Sequence, residues 1–122
     1  MMRVLLLICT LALGTAQAEE VKLVHGGLTL NANLEKVEDW PAGPVVLMTH
    51  GTLAHGRMEI MATLQSLFAA RGISSLAITL SLGLSDRHGM YDCAVPHDHR
   101  NEDSLGEIGA WLQWLKMRGS KL

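Results

Sequence analysis

The stretch PVVLMTHG, residues 44–51, decides the fold of this chain. After Pro44, the run from Val45 to Met48 is continuously apolar and lacks the alternation that marks a strand with one solvated face. A continuous apolar run is typical of a strand covered on both faces by helices, as in a parallel sheet. Gly51 follows and permits the chain to leave the strand sharply.

The segments on either side supply further elements of an α/β domain. Residues 21–34 alternate in polarity around a Gly-Gly pair, which predicts an antiparallel β-hairpin. Residues 57–71 carry apolar side chains at spacings of three and four, which predicts a helix that ends at Gly72. Residues 73–82 contain a second buried strand, so the helix can serve as a right-handed crossover between two parallel strands.

A last helix is predicted after the polar segment 83–101. Ser104 and Glu107 have the spacing of a capping box, which places the start of the helix at Ser104. Its apolar stripe consists of Leu105, Ile108, Trp111, Leu112 and Leu115. Such a helix would return the chain for another parallel strand, and we expect that strand to be missing here.

The first 18 residues have the layout of a cleavable secretory signal. Met1-Met2-Arg3 is a short positive start, residues 4–13 are apolar apart from Thr10, and an Ala-x-Ala pattern ends at Ala18. The apolar run is too short for a bilayer, which requires about 20 residues. We therefore expect cleavage after Ala18, a periplasmic or secreted protein of residues 19–122, and no stable membrane span.

The cysteine content and the net charge limit the covalent and binding partners that this chain can have. Once a signal containing Cys9 is removed, Cys93 is the only cysteine, so no intrachain disulfide can form. Of the fates open to a single thiol in an oxidising compartment, burial is the one we expect. The formal net charge of −2 provides no electrostatic footprint for nucleic acid.

These segments, taken in order, resemble the α/β-hydrolase superfamily over most of residues 21–118. Residues 45–51 look like its third strand and the His-Gly pair that opens its oxyanion loop. Residues 57–72 look like its first helix, 75–80 like its fourth strand, and 82–86 are similar to the Gly-x-Gly-x-Ser-Asp loop that often follows. The resemblance implies an α/β fold, with an antiparallel N-terminal hairpin followed by β-α-β-α, that is truncated before the nucleophile strand.

The family's nucleophile motif, Gly-x-Ser-x-Gly on a strained strand-to-helix turn, is the main departure. The nearest approach is residues 83–87, where Arg87 replaces the second glycine and would clash in such a turn. Ser85 also follows the fourth strand and not the fifth, so we interpret it as a loop serine. The family's acid and histidine come later still. We therefore expect an N-terminal fragment of an esterase-like serine hydrolase, without a complete triad or a cofactor, and inactive alone.

One catalytic part is implied by the resemblance. In the family, the residue after His-Gly donates a backbone N–H to the oxyanion, and this residue is Thr52 here. Leu53 is a second possible donor or a pocket-lining residue, whereas His50 and Gly51 are expected to be structural. The simpler alternative is that Gly51 only allows the sharp exit from the strand.

The polar loop at residues 83–100 is the other candidate site. Its histidines and aspartates include His97 and His99, which an extended backbone would point to one face as weak candidates for zinc or copper ligands. A cap over the active-site entrance and a solvated loop without a role are the alternatives.

Two other functions therefore stay open beside the hydrolase fragment. One is a small exported, non-catalytic module that binds a ligand or a metal through residues 83–100. The other is a subunit whose missing strands come from another chain. In each case, residues 45–49 would form an apolar strand edge, for which we expect self-association. For the intact hydrolase we expect a small-molecule substrate of the ester type.

Overall fold

A computed structural model describes residues 18–122; residues 1–17 of the predicted signal, including Cys9, lie outside the described residues. The elements, in chain order, are β1 (Glu19–His25), β2 (Leu28–Glu35), β3 (Val45–Met48), α1 (Glu59–Ala69), β4 (Ser74–Thr79) and α2 (Asn101–Met117). Every predicted strand and helix is present. Gly72 follows α1 with φ of 72°, in the left-handed region that favours glycine after a helix.

The four strands form one mixed sheet in the order β1-β2-β4-β3. β1 and β2 are the predicted antiparallel hairpin, and β2 also pairs antiparallel with β4. β3 and β4 are parallel, with Val45 opposite Ser74 and Met48 opposite Ala77, and α1 forms the crossover between them. The result is the partial α/β fold that the sequence predicts.

Both faces of the sheet are covered, which explains the continuous apolar run in β3. On one face, Trp111 and Leu115 of α2 pack against a cluster of strand residues: Leu30, Ala32, Leu34, Val45, Leu76 and Ile78. On the other face, Met61 of α1 packs against Met48 and Ala77. Successive residues of β3 and β4 therefore enter opposite cores, as expected for strands between two helices.

Both helices differ from the prediction in detail. α2 begins at Asn101, three residues before the predicted start, because Asp103 and not Glu107 closes the cap: its Oδ2 accepts the Arg100 N–H at 2.7 Å. The predicted apolar stripe of α1 is only partly buried. Met61 faces the core, whereas three other members are exposed, namely Ile60, Leu64 and Leu67.

The outer position of β3 confirms that one edge of the sheet is formed by this strand. The chain returns to the start of that edge after α2, where the Val45 N–H donates to Lys121 O at 3.0 Å and Pro44 and Lys121 form a parallel bridge. From Leu47 onward the outer side of β3 has no strand beside it within the described residues. Of the helices described, none is long and apolar enough to cross a membrane.

Candidate functional site

The candidate site lies at the carboxyl ends of β3 and β4, where parallel strands in α/β folds commonly place their ligands. His50, just after β3, joins the two strand ends. Its Nε2 accepts the Leu80 N–H at 3.0 Å, so the ring proton must reside on Nδ1, which lies 2.7 Å from Gly51 O. Burial lowers the pKa of His50, which favours this neutral ring. His50 is therefore a link between loops.

Arg87 is the second link, a role that the sequence analysis did not predict. The residue is 6% exposed, and its guanidinium donates to three carbonyls of three segments: Nε to Leu80 O at 2.9 Å, Nη1 to Gly89 O at 2.8 Å and Nη2 to Ala54 O at 3.0 Å. Burial lowers the pKa of the Arg87 guanidinium, although an arginine still keeps its proton at neutral pH. One side chain thus joins the end of β4 to the loop after β3 and to the polar loop.

Gly56 places the loop after β3, residues 49–56, directly on the sheet. A Cβ at this position would lie 2.7 Å from Ala77 O, so no larger residue fits without a shift of the backbone. The Gly56 N–H donates to Thr79 Oγ1 at 3.0 Å, and Gly56 O accepts from Asn33 Nδ2 at 3.2 Å. The close approach and its two hydrogen bonds fix the loop at residues 49–56.

A buried carboxylate anchors the other loop. Glu107 of α2 accepts the Ser81 N–H at 2.8 Å and also the Ser81 hydroxyl, and Ser81 Oγ in turn accepts the Gly83 N–H at 3.1 Å. Gly83 has φ of 82°, and a Cβ there would lie 2.7 Å from Asp98 O. The two ends of the polar loop therefore pack against each other at Gly83 and Asp98, and Glu107 connects the loop to α2.

The two predicted oxyanion donors are placed differently. Thr52 lines a cavity of about 200 Å³ together with His50, Leu80, Leu82, His99, Asn101 and Ser104. Leu53 is 56% exposed and does not belong to that lining, and its carbonyl accepts the Tyr91 N–H at 3.0 Å. The geometry thus brings Thr52, and not Leu53, to the cavity at the strand ends.

Ser85 does not belong to the lining of this cavity and contacts β2 instead. Its Oγ accepts the Thr29 N–H of β2 at 3.0 Å, and within residues 18–122 it has no hydrogen bond to a histidine. The neighbouring Asp86 is paired with Lys22 at 2.7 Å. These contacts fasten the loop to the hairpin and assemble no nucleophile.

The weak metal candidates do not converge on one point. The rings of His97 and His99 are 6.4 Å apart and nearly perpendicular. Both ring nitrogens of His97 contact backbone oxygens, at 3.2 Å from Leu82 O and 3.0 Å from Asp92 O. Cys93 in the same loop is exposed, so the expectation of a buried thiol is wrong. Residues 92–96 are all exposed, so no core surrounds this thiol.

A different group of possible ligands is closer together. Glu20, Asp86 and His88 bring their ligating atoms within 4.8 Å of one another. Lys22 and Arg57 already form ion pairs with the two carboxylates, at 2.7 and 3.3 Å. Lys22 and Arg57 therefore already balance the negative charge of the cluster. We interpret it as a surface ion-pair network that joins β1 to the polar loop.

The role of Arg87 is tested by replacing it with glutamine. Arg87→Gln should lower the free energy of unfolding by about 1–3 kcal/mol, since buried carbonyls lose their donors. Arg57→Gln is the matched control, because the Arg57 side chain is 48% exposed and its surface ion pair is worth about 0–1 kcal/mol. Urea denaturation measures both changes, and equal losses for the two variants would contradict the assigned role.

Comparisons with known proteins agree on the fold. No protein-family model matches the sequence, and no curated protein sequence matches it. Among solved structures, the chain is similar to Est1E from Butyrivibrio proteoclasticus, with 18% identity, a TM-score of 0.63, and coverage of 84% of this chain and 37% of the other. It is also similar to a cold-adapted esterase from an Arctic intertidal metagenomic library, with 23% identity, a TM-score of 0.62, and coverage of 84% and 46%.

A third similar structure is the α/β hydrolase GrgF from Penicillium sp. sh18, with 18% identity, a TM-score of 0.62, and coverage of 82% of this chain and 32% of the other. The chain thus spans less than half the length of each of these proteins. At these identities the likeness concerns the fold. Residues 18–122 form a partial α/β fold that matches a part of the α/β-hydrolase fold.

Proposed function

We propose that this chain is the N-terminal part of an exported serine hydrolase that cleaves esters or related acyl bonds. The observation that carries the proposal is the fixed loop after β3, which presents Thr52 at a cavity beside the strand ends. One of the similar structures is named as an esterase and another as an α/β hydrolase, which supports this class of substrate. His50, Arg87 and Gly56 hold the loop from three sides.

In this proposal the Thr52 N–H is one donor to the oxyanion that forms when an acyl carbonyl is attacked. A single preorganised donor of this type contributes on the order of 10²–10³ in kcat. We assign no residue of this chain as the second donor, the nucleophile, the acid or the catalytic histidine. The chain is therefore inactive alone.

Inactivity is tested with an activated ester such as p-nitrophenyl butyrate. Purified residues 19–122 should release p-nitrophenol at the rate of buffer alone, and Ser85→Ala should leave that rate unchanged, because Ser85 Oγ is held by the Thr29 N–H. Measured turnover that Ser85→Ala abolishes would show that the nucleophile is Ser85 and that the fragment proposal is wrong.

Export belongs to the same proposal and rests on the first 18 residues. Cleavage after Ala18 predicts a product that begins at Glu19, with a mass below the 13.3 kDa of the full sequence. Intact-mass measurement of the product from the source cell and its surroundings tests this. An uncleaved N-terminus would refute the signal, and a mass about two to three times larger would show that these residues belong to a longer hydrolase.

Self-association of the isolated chain is the last part of the proposal. Within residues 18–122, the outer side of β3 past its bridge to Lys121 has no strand beside it, and such open edges pair with other chains. Beside that edge lies the exposed stripe of α1, formed by Ile60, Leu64 and Leu67. Ala62 and Ser66 on the opposite flank of α1 line a cavity with residues of β2, so the stripe points away from β2 and towards the β3 edge.

Charge placed on this stripe should separate the copies. We expect residues 19–122 to sediment as dimers or larger species. The double variant Leu64→Lys, Leu67→Lys should shift the weight-average mass towards that of the monomer. Val24→Lys is the matched control, because Val24 is 77% exposed on β1, at the other edge of the sheet. Sedimentation velocity measures the masses, and a wild-type chain that stays monomeric at high concentration would refute self-association.

A further inference from the structure

A second cavity, open on one side and about 350 Å³ in volume, lies between α1 and β2. It shares no wall residue with the cavity beside Thr52. Its wall includes Ala18 from the chain before β1, Glu35 from β2 and Arg57 from the segment before α1. Among the described residues of the wall, Glu35 and Arg57 alone carry charge. The surroundings of these two side chains therefore decide which group the cavity can accept.

Glu35 ends β2, and its side chain points to the α1 side of the sheet. The preceding residue, Leu34, packs in the cluster on the α2 side, and successive residues of a strand face opposite sides. Glu35 is only 6% exposed. Burial raises the pKa of its carboxyl, and within residues 18–122 no hydrogen bond or neighbouring charge lowers this pKa. A cation placed beside this carboxylate would therefore stabilise the domain.

Two cations are close to Glu35 along the chain or in the cavity wall, and each is paired with an acid of β1. Arg57 pairs with Glu20 at 3.3 Å. Lys36, the next residue after Glu35, pairs with Glu19 at 2.5 Å. Neither side chain therefore supplies the charge that the Glu35 carboxylate lacks.

The elements on the other sides of Glu35 bring no charge to it. On β4 its register partner is Ser75, whose buried hydroxyl has no hydrogen-bond partner within residues 18–122 and so does not donate to the carboxylate. On α1 the wall residues are uncharged, and Gln65 among them donates to Asn33 O and Ser75 O. The side of Glu35 that faces Ala18 is left for a partner.

The direction of the peptide groups in the hairpin shows where the nitrogen of Glu19 lies. Thr29 of β2 bonds to the polar loop through its N–H and its carbonyl, so its peptide groups point away from β1. These directions alternate along an antiparallel strand, so the peptide groups of Leu34 point towards β1 and its register partner Glu19. The Glu19 N–H therefore donates to Leu34 O. The next pair, Ala18 and Glu35, is of the closely spaced type, with Cα atoms about 4.5 Å apart.

We propose that removal of the signal after Ala18 converts the nitrogen of Glu19 into an ammonium group that pairs with the buried Glu35 carboxylate. Hydrolysis adds the hydroxyl of water to the carbonyl carbon of Ala18 and leaves Glu19 with an amine, which takes up a proton below about pH 8. One hydrogen of this ammonium keeps the bond to Leu34 O, and the other two face the cavity. The inference rests on the proposed export, because only a chain that begins at Glu19 carries its ammonium group at this place.

The experiment removes the charge of the amine without removing its hydrogen bond to Leu34. Residues 19–122 are acetylated at the Glu19 nitrogen at pH 6.5, where the lysine amines are protonated and unreactive, and the product is checked by mass. Acetylation should raise the unfolding equilibrium constant, measured in urea at pH 6.5 and one protein concentration, on the order of tenfold. Glu35→Gln should abolish this effect of acetylation, since the isosteric amide folds alike and has no charge.

Glu38→Gln is the matched control. Glu38 is exposed and lies outside the cavity wall, so acetylation should destabilise this variant as much as the wild-type chain. A second readout is the carboxyl ¹³C signal of Glu35, which should titrate at lower pH with the amine than with the acetyl group, because only the ammonium favours the ionised carboxylate.

The pH dependence has a definite sign. The carboxylate raises the pKa of the amine in the folded chain, so the contribution of the pair is complete below about pH 8 and is lost as the pH rises through the raised value. The difference in stability between the free and the acetylated chain should therefore disappear by about pH 10. A difference that stays constant up to that pH would contradict an ion pair at this amine.

The outcomes separate the pair from the proposed export. A native product that keeps residue 18, as read from its intact mass, would overturn both. A chain that begins at Glu19 but loses no stability on acetylation, or loses as much when Glu35→Gln is present, would overturn the pair alone. The export and hydrolase proposals would then stand or fall on their own mass and ester measurements.

Discussion

β4 is hydrogen-bonded on both sides and covered on both faces, and the rest of the domain is arranged around it. It pairs antiparallel with β2 and parallel with β3, and all six of its residues are buried. Its own side chains divide between the two cores, with Leu76 and Ile78 facing α2 and Ala77 facing α1. The end of this strand is therefore a rigid base. The loops of the candidate site are fastened to it through the backbone of Leu80, which binds both His50 and Arg87.

The sequence predicted those parts of the fold that depend on periodicity. The alternation in the hairpin, the continuous run in β3 and the helical spacing before Gly72 each report a local burial pattern, and the structure contains each element. The stripe of α1 was predicted less well, because spacing shows which residues share a helix face and not how wide a face the sheet can cover. Met61 reaches the sheet, whereas Leu64 and Leu67 lie on the flank.

For the candidate site, the resemblance to the α/β-hydrolase superfamily pointed to Thr52. The structure places Thr52 in the wall of a cavity at the strand ends, and its role as an oxyanion donor stays a prediction. Arg87 could not be predicted, because its three acceptors are carbonyls of Leu80, Ala54 and Gly89, and a backbone carbonyl has no signature in the sequence. The start of α2 was predicted wrongly for a related reason. Asp103 and Glu107 both have the spacing of a capping residue, and the tertiary contact of Glu107 with Ser81 is not visible in the sequence.

Buried charge at one end of the domain follows from the shape of its loops. The loop after β3 and the polar loop each direct a carbonyl, Ala54 O and Gly89 O, towards the buried Arg87 side chain. A guanidinium satisfies several carbonyls from one position, and an apolar side chain of the same volume would satisfy none. Glu107 acts likewise on the N–H side, because a carboxylate accepts two donors of Ser81 at once. Such groups cost desolvation free energy, which the packed sheet behind them offsets, and their hydrogen bonds fasten the loops beside the candidate site.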